Sequence, residues 1–134
     1  MNKVQVLVLD DNPTNLKLAC SVLEWSGYEI RMAGDAEEAL KMIEEEPPEM
    51  ILMDIGLPGM DGLTLTRKLK GHESTRQILI VALTAFAMKG DEQAVIDAGC
   101  DGYIAKPIDT RRFANQVAKY LKPKGSDENI SGRG

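Results

Sequence analysis

The chain has 134 residues, 43% of them hydrophobic and 28% charged, which is enough for one domain with a sizeable core, too short for two, and too apolar for a disordered polymer. A net charge of −5 excludes nucleic acid and an anionic membrane surface as main partners, because both are held by Lys and Arg against phosphate. The longest apolar runs, such as Ile78–Leu83, are six residues, far short of a membrane span, and the stretch Val4–Leu9 stops too soon for a signal peptide. Cys20 and Cys100 lie 80 residues apart without metal-ligand spacing, as expected for free thiols in a reducing cytoplasm.

Val4–Leu9 is a nearly continuous apolar run, the pattern of a strand buried on both faces. It ends in Asp10-Asp11-Asn12-Pro13-Thr14, where Asn12 or Thr14 can cap a helix that runs to about Ser26 and is stopped by Gly27. Tyr28–Ala33 reads as a short strand. Asp35 with Glu38 opens a second helix, to about Glu46, which Pro47-Pro48 ends. Met50–Met53 is again apolar throughout and again ends in an aspartate, Asp54. A turn-rich segment through Gly62 leads to a helix ending near Lys70. Ile78–Leu83 is a fourth strand, closed by Thr84. A helix over Met88–Ala98 stops at Gly99, and Gly102–Ala105 is a fifth strand, closed by Lys106-Pro107. Asp109 or Thr110 caps a last helix in which Phe113, Val117 and Leu121 recur at i, i+4 and i+8.

Five short apolar strands, each followed by a helix, imply a parallel sheet covered on both faces through right-handed crossovers. The expected domain spans 1–121, with 122–134, rich in Pro, Gly, Ser and charge, as a flexible tail. In such a sheet ligands bind beyond the carboxyl ends of the strands, where the strand order reverses. The residues at those ends are Asp10, Asp11, Asp54, Thr84 and Lys106. One carboxylate at a strand end is commonly only a helix cap; matched polar residues on four strands form a site.

Two carboxylates about 5 Å apart repel by ~3 kcal/mol at an effective dielectric near 20, so three together cost on the order of 10 kcal/mol. Lys106 offsets part of this, and a hard divalent cation with oxygen ligands offsets more. Mg²⁺ suits one or two direct carboxylates with retained waters and a phosphoryl oxygen; zinc does not, since His72 is the single histidine and sits in a polar segment. A carboxylate can attack phosphorus to give an acyl phosphate, while metal, ammonium and hydroxyl share the charge on the equatorial oxygens.

The runs Val-Leu-Val-Leu-Asp-Asp-Asn-Pro-Thr-Asn (6–15), Ile-Leu-Met-Asp-Ile-Gly-Leu-Pro-Gly-Met-Asp-Gly (51–62), Leu-Thr-Ala (83–85) and Tyr-Ile-Ala-Lys-Pro-Ile (103–108) resemble those of two-component response-regulator receiver domains, in order and with fitting spacings over about 4–121. The segment 84–91 is similar to stand-alone cell-division regulators and to receivers fused to hybrid kinases. The resemblance implies a (βα)5 flavodoxin-like fold and transfer of a phosphoryl group from the phosphohistidine of a sensor histidine kinase or a histidine phosphotransfer protein. It implies Asp54 as phosphoacceptor; Asp11, Asp54 and the Gly56 carbonyl as Mg²⁺ ligands, with Asp10 acting through metal-bound water; Thr84 and Lys106 on phosphoryl oxygens; Tyr103 as switch aromatic; and a cis bond before Pro107. It also implies a downstream protein partner, a monomer or weak phosphorylation-linked dimer, a cytoplasmic location, and a signalling role in place of turnover. No attached output domain is expected after 121.

Two alternatives carry distinguishing features. A Mg²⁺-dependent phosphatase using Asp54 would need an acid–base group two residues on, where Gly56 stands. A flavin module would set Asp10-Asp11 against the cofactor phosphate. In the first helix, Leu18, Val22 and Trp25 form one apolar row and Leu16, Cys20 and Leu23 another; either the helix is broadly buried, or Leu16 and Cys20 belong to a docking patch for a partner's helices.

Overall fold

The computed structural model describes residues 4–55, 62–84, 89–105 and 108–121. Ten elements alternate: β1 (Gln5–Leu9), α1 (Pro13–Trp25), β2 (Glu29–Ala33), α2 (Ala36–Glu45), β3 (Met50–Asp54), α3 (Gly62–Lys70), β4 (Leu79–Thr84), α4 (Lys89–Ala98), β5 (Gly102–Ala105) and α5 (Phe113–Leu121). The strands form one parallel sheet in the order β2-β1-β3-β4-β5. The chain steps from β1 to β2 in one direction and then reverses, so right-handed crossovers put α1 on one face and α2, α3 and α4 on the other.

The alternation of strand side chains separates the core into two layers. Leu7, Leu9, Ile51, Met53, Ile80 and Ala82 point to the side of α2, α3 and α4, where Ala39, Ile43, Leu65, Leu69 and Val95 meet them. Val6, Val8, Met50, Leu52, Val81, Leu83 and Ile104 point to the other side, against Ala19, Cys20 and Leu23 of α1 and Phe113 and Val117 of α5. Both sheet faces are covered, which is why β1, β3 and β4 read as unbroken apolar runs. Each fully buried Val, Leu, Ile, Met or Phe side chain among them contributes roughly 1.5–3 kcal/mol.

The element ends follow local chemistry. Asn12 is the α1 cap, its Oδ1 accepting the N–H groups of Thr14 (2.9 Å) and Asn15 (3.2 Å) ahead of Pro13 at the helix start. Asp35 caps α2 through the Glu38 N–H at 2.8 Å, and Glu38 reaches back to the Gly34 N–H at 2.9 Å, the reciprocal arrangement its spacing predicts. Gly27 and Gly99, with φ of 96° and 106°, end α1 and α4 in the left-handed region that glycine adopts without strain. Before α5, the Asp109 side chain accepts the Arg111 N–H at 3.0 Å and its carbonyl accepts the Phe113 N–H at 2.9 Å, so Asp109, not Thr110, opens the helix.

Cys20 is buried and Leu16 packs against the same core layer. Leu16, Ala19, Cys20 and Leu23 lie at i, i+3, i+4 and i+7, a single face seated on the sheet. In the other row Leu18, at 37%, and Trp25, at 91%, are exposed, while Val22 between them is half-buried against the same core layer. Of the two residues expected in a docking patch, Cys20 is enclosed by the core, whereas Leu16 is half-buried and keeps part of its surface exposed. The expected tail, 122–134, lies outside the described residues.

Candidate phosphoryl-transfer site

Asp10 follows β1 directly, Asp11 comes next, and Asp54 is the last residue of β3. β1 and β3 are hydrogen-bonded neighbours, Leu9 lying opposite Met53, and they flank the point where strand order reverses. Parallel pairing brings their carboxyl ends to the same edge. One carboxylate oxygen from each of Asp10, Asp11 and Asp54 lies within 4.8 Å of the others. Asp10 is 1% exposed, Asp11 is exposed and Asp54 half-buried, so the cluster runs from the protein interior to its surface.

The backbone holds these carboxylates in place. The Asp10 N–H donates to the Ala33 carbonyl at 3.1 Å, extending the β1–β2 ladder by one residue. Asp10 Oδ1 accepts the Asn12 N–H at 2.9 Å, a tight turn that presents Asp11 outward and sets Asn12 as the α1 cap. Beyond β3 the Ile55 N–H donates to the Leu83 carbonyl at 3.4 Å, and the Gly62 N–H donates to the Ile55 carbonyl at 3.2 Å. The first residue of α3 is thereby fastened beside the strand end that carries Asp54.

Gly62 was visible in the sequence only as part of a turn. A methyl group on it would sit 2.8 Å from the Asp54 carbonyl oxygen and 2.7 Å from Ile55 Cα. Those contacts are to backbone and cannot be relieved by a rotamer change, so the approach of α3 to Asp54 requires glycine.

Thr84 ends β4 opposite Ala105 of β5, so its backbone reaches the same edge; its side chain is outside the described residues, as are Gly56, Lys106 and Pro107. Tyr103 lies on β5 opposite Ala82, half-buried against the layer shared with α3 and α4. Its carbonyl accepts the Tyr120 hydroxyl at 3.3 Å. His72 is exposed after α3, away from the aspartates in sequence and in the fold.

Three carboxylate oxygens this close favour occupation by a cation. The donor set is oxygen only and two of its members reach solvent, both of which fit Mg²⁺. Two cysteines could in principle supply softer ligands, but Cys20 and Cys100 are both buried elsewhere.

Sheet order and helix placement together define a flavodoxin-like fold, with an acidic cluster at its switch point. The chain belongs to the response regulator receiver domain family, whose model matches residues 6–118. It is 45% identical over 116 residues to the polar-differentiation response regulator DivK of Brucella ovis, covering 87% of this chain and 94% of that protein. Among solved structures it resembles a putative response regulator from Chloroflexus aurantiacus, with a TM-score of 0.85 and 33% identity over 90% of this chain and 98% of that one. The chemotaxis response regulator CheY4 of Vibrio cholerae shares the fold at a TM-score of 0.85 and 22% identity, over 90% of this chain and 100% of that one. The chain is thus a receiver domain of phosphorelay signalling. Such domains are signalling modules that act with histidine kinases or phosphotransfer proteins, and they generally bind Mg²⁺ at an acidic pocket.

Proposed function

We propose that Asp54 is the phosphoacceptor and that Asp10, Asp11 and Asp54 hold Mg²⁺, with the Gly56 carbonyl as a further ligand. The observation that carries this reading is the convergence of the three carboxylates within 4.8 Å at the switch point, since Asp54 is the member that ends the central strand and is half exposed to an incoming donor. A carboxylate oxygen of Asp54 attacks the phosphorus of a phosphohistidine; the P–N bond breaks and its electron pair leaves with the imidazole, giving an acyl phosphate on Asp54. The metal supplies neutralisation of charge on the phosphoryl oxygens. Thr84 donates its hydroxyl to one of those oxygens and Lys106 pairs with another. Movement of Thr84 toward the phosphoryl group vacates space into which Tyr103 turns, altering the surface that a downstream protein reads. The domain comprises 1–121, works in the cytoplasm as a monomer or a weak phosphorylation-linked dimer, and promotes only its own phosphorylation and dephosphorylation.

Incubation with acetyl phosphate and Mg²⁺ tests this. The expected result is a stoichiometric, hydroxylamine-sensitive adduct that chelator prevents and that Asp54→Asn abolishes. Continuous release of phosphate would assign the site to a hydrolase instead, and an Asp54→Asn protein that takes up one phosphate at the wild-type rate would overturn the assignment.

A further inference from the structure

Among the described residues, the buried polar side chains are Asp10, which belongs to the acidic cluster, and Thr66, which is fully buried in α3. A hydroxyl without access to water is costly unless it is bonded, and valine has nearly the same shape without that cost. Thr66 Oγ1 donates to the Gly62 carbonyl at 2.9 Å. It also lies 3.6 Å from Met53 Sδ and 3.6 Å from Cys100 Sγ. The Gly62 carbonyl is the i−4 acceptor that the helix already gives to the Thr66 amide. A second, side-chain bond to the same acceptor commonly alters the local curvature of a helix.

The turn that carries this bond is the one lying beside Asp54. Gly62 is the residue whose N–H holds Ile55 and whose missing side chain admits the Asp54 carbonyl. Met53, which Thr66 also touches, immediately precedes Asp54. We propose that Thr66 is a positioning residue for the phosphorylation site: its buried hydroxyl draws the first turn of α3 onto the Asp54–Ile55 backbone and so fixes the Asp54 carboxylate within the acidic cluster. This rests on the reading of that cluster as a Mg²⁺ and phosphoryl site.

The test separates positioning from packing. Thr66→Val keeps the volume and removes the hydroxyl, whereas Thr66→Ser keeps the hydroxyl and opens a methyl-sized hole. Mg²⁺ affinity by titration calorimetry, thermal midpoint in metal-free buffer and the rate of acetyl-phosphate labelling are measured for each. Thr66→Val is expected to melt within a few degrees of wild type yet lose roughly tenfold in Mg²⁺ affinity, the low end of what groups that orient metal ligands contribute, with slower labelling at limiting Mg²⁺. Thr66→Ser is expected to melt lower and keep wild-type affinity. Thr66→Ala, compared with Thr66→Ser in the same underfilled seat, repeats the comparison without any risk of overpacking. Wild-type affinity in both hydroxyl-less variants, or affinity that simply tracks the melting midpoint across the set, overturns the proposal. Failure of the wild-type protein itself to bind Mg²⁺ overturns the reading beneath it as well.

Discussion

Asp10, Asp11 and Asp54 illustrate how a residue can serve function against stability. They approach within 4.8 Å of one another, a separation at which like charges repel, the more weakly where solvent screens Asp11. Neutralising one member should therefore stabilise the metal-free protein while removing what metal adds. Asp54→Asn and Asp11→Asn are each expected to raise the thermal midpoint in chelator. Mg²⁺ should raise the midpoint of wild type by mass action and raise that of Asp11→Asn little. Differential scanning calorimetry with and without Mg²⁺ checks both; a lower midpoint for both variants in chelator would mean that the carboxylates serve the fold. Cys20 shows the opposite pressure. Burial, and secondarily the Glu24 carboxylate, push its thiol from 9.0 up to about 11, so it stays protonated and unreactive at neutral pH. Because the folded value lies above the unfolded one, its contribution is fully present below pH 9.0 and is lost as pH rises toward about 11. Urea midpoints measured from pH 8 to 11 should fall, and fall less steeply in Cys20→Ala.

Among the elements, α1 separates what sequence can decide from what it cannot. Its existence, its Asn12 cap and its Gly27 stop follow from local chemistry that any reader of the chain can apply. Which row faces the sheet does not, because Leu16-Cys20-Leu23 and Leu18-Val22-Trp25 are equally apolar; the choice is made by Ala19, small enough to lie flat on the sheet and complete the inner face. The expected consequence is a sharp contrast within one helix. Leu23→Ala, at a fully buried position, should cost about 2–5 kcal/mol, while Trp25→Ala, 91% exposed, should change stability by less than about 0.5 kcal/mol. Chemical denaturation of the two variants measures this. A comparable loss at Trp25 would place it in a packed environment. β1, β3 and β4 were legible almost to the residue because burial on both faces leaves them no polar position inside the run, and an aspartate or threonine marks where each run stops. Thr66 and Gly62 were not legible, since a threonine inside a helix and a glycine in a turn acquire meaning only from what lies across from them: Met53, Cys100 and the Asp54 carbonyl.

At the scale of the molecule, the fold brings reactive groups to one edge and leaves the duration of the signal to whatever surrounds that edge. Hydrolysis of an acyl phosphate needs a water in line with the Asp54–phosphorus bond. The resemblance to receiver domains places the residues two beyond Asp54 and two beyond Thr84 beside that approach; here they are Gly56 and Phe86, both outside the described residues. General acid–base assistance typically contributes ~10²–10⁴-fold, and neither a hydrogen nor a phenyl ring can supply it. Phospho-Asp54 is therefore expected to be long-lived for its family, with the signal ended by back-transfer to a histidine or by a separate phosphatase. Decay of the adduct in Mg²⁺ buffer, followed in wild type, Gly56→Asn and Phe86→Lys, measures this directly. An amide able to orient water, or an ammonium in place of an apolar ring, should each shorten the lifetime, and the double variant should shorten it most. Equal decay in all four proteins would mean that water reaches phosphorus by a route these two positions do not control.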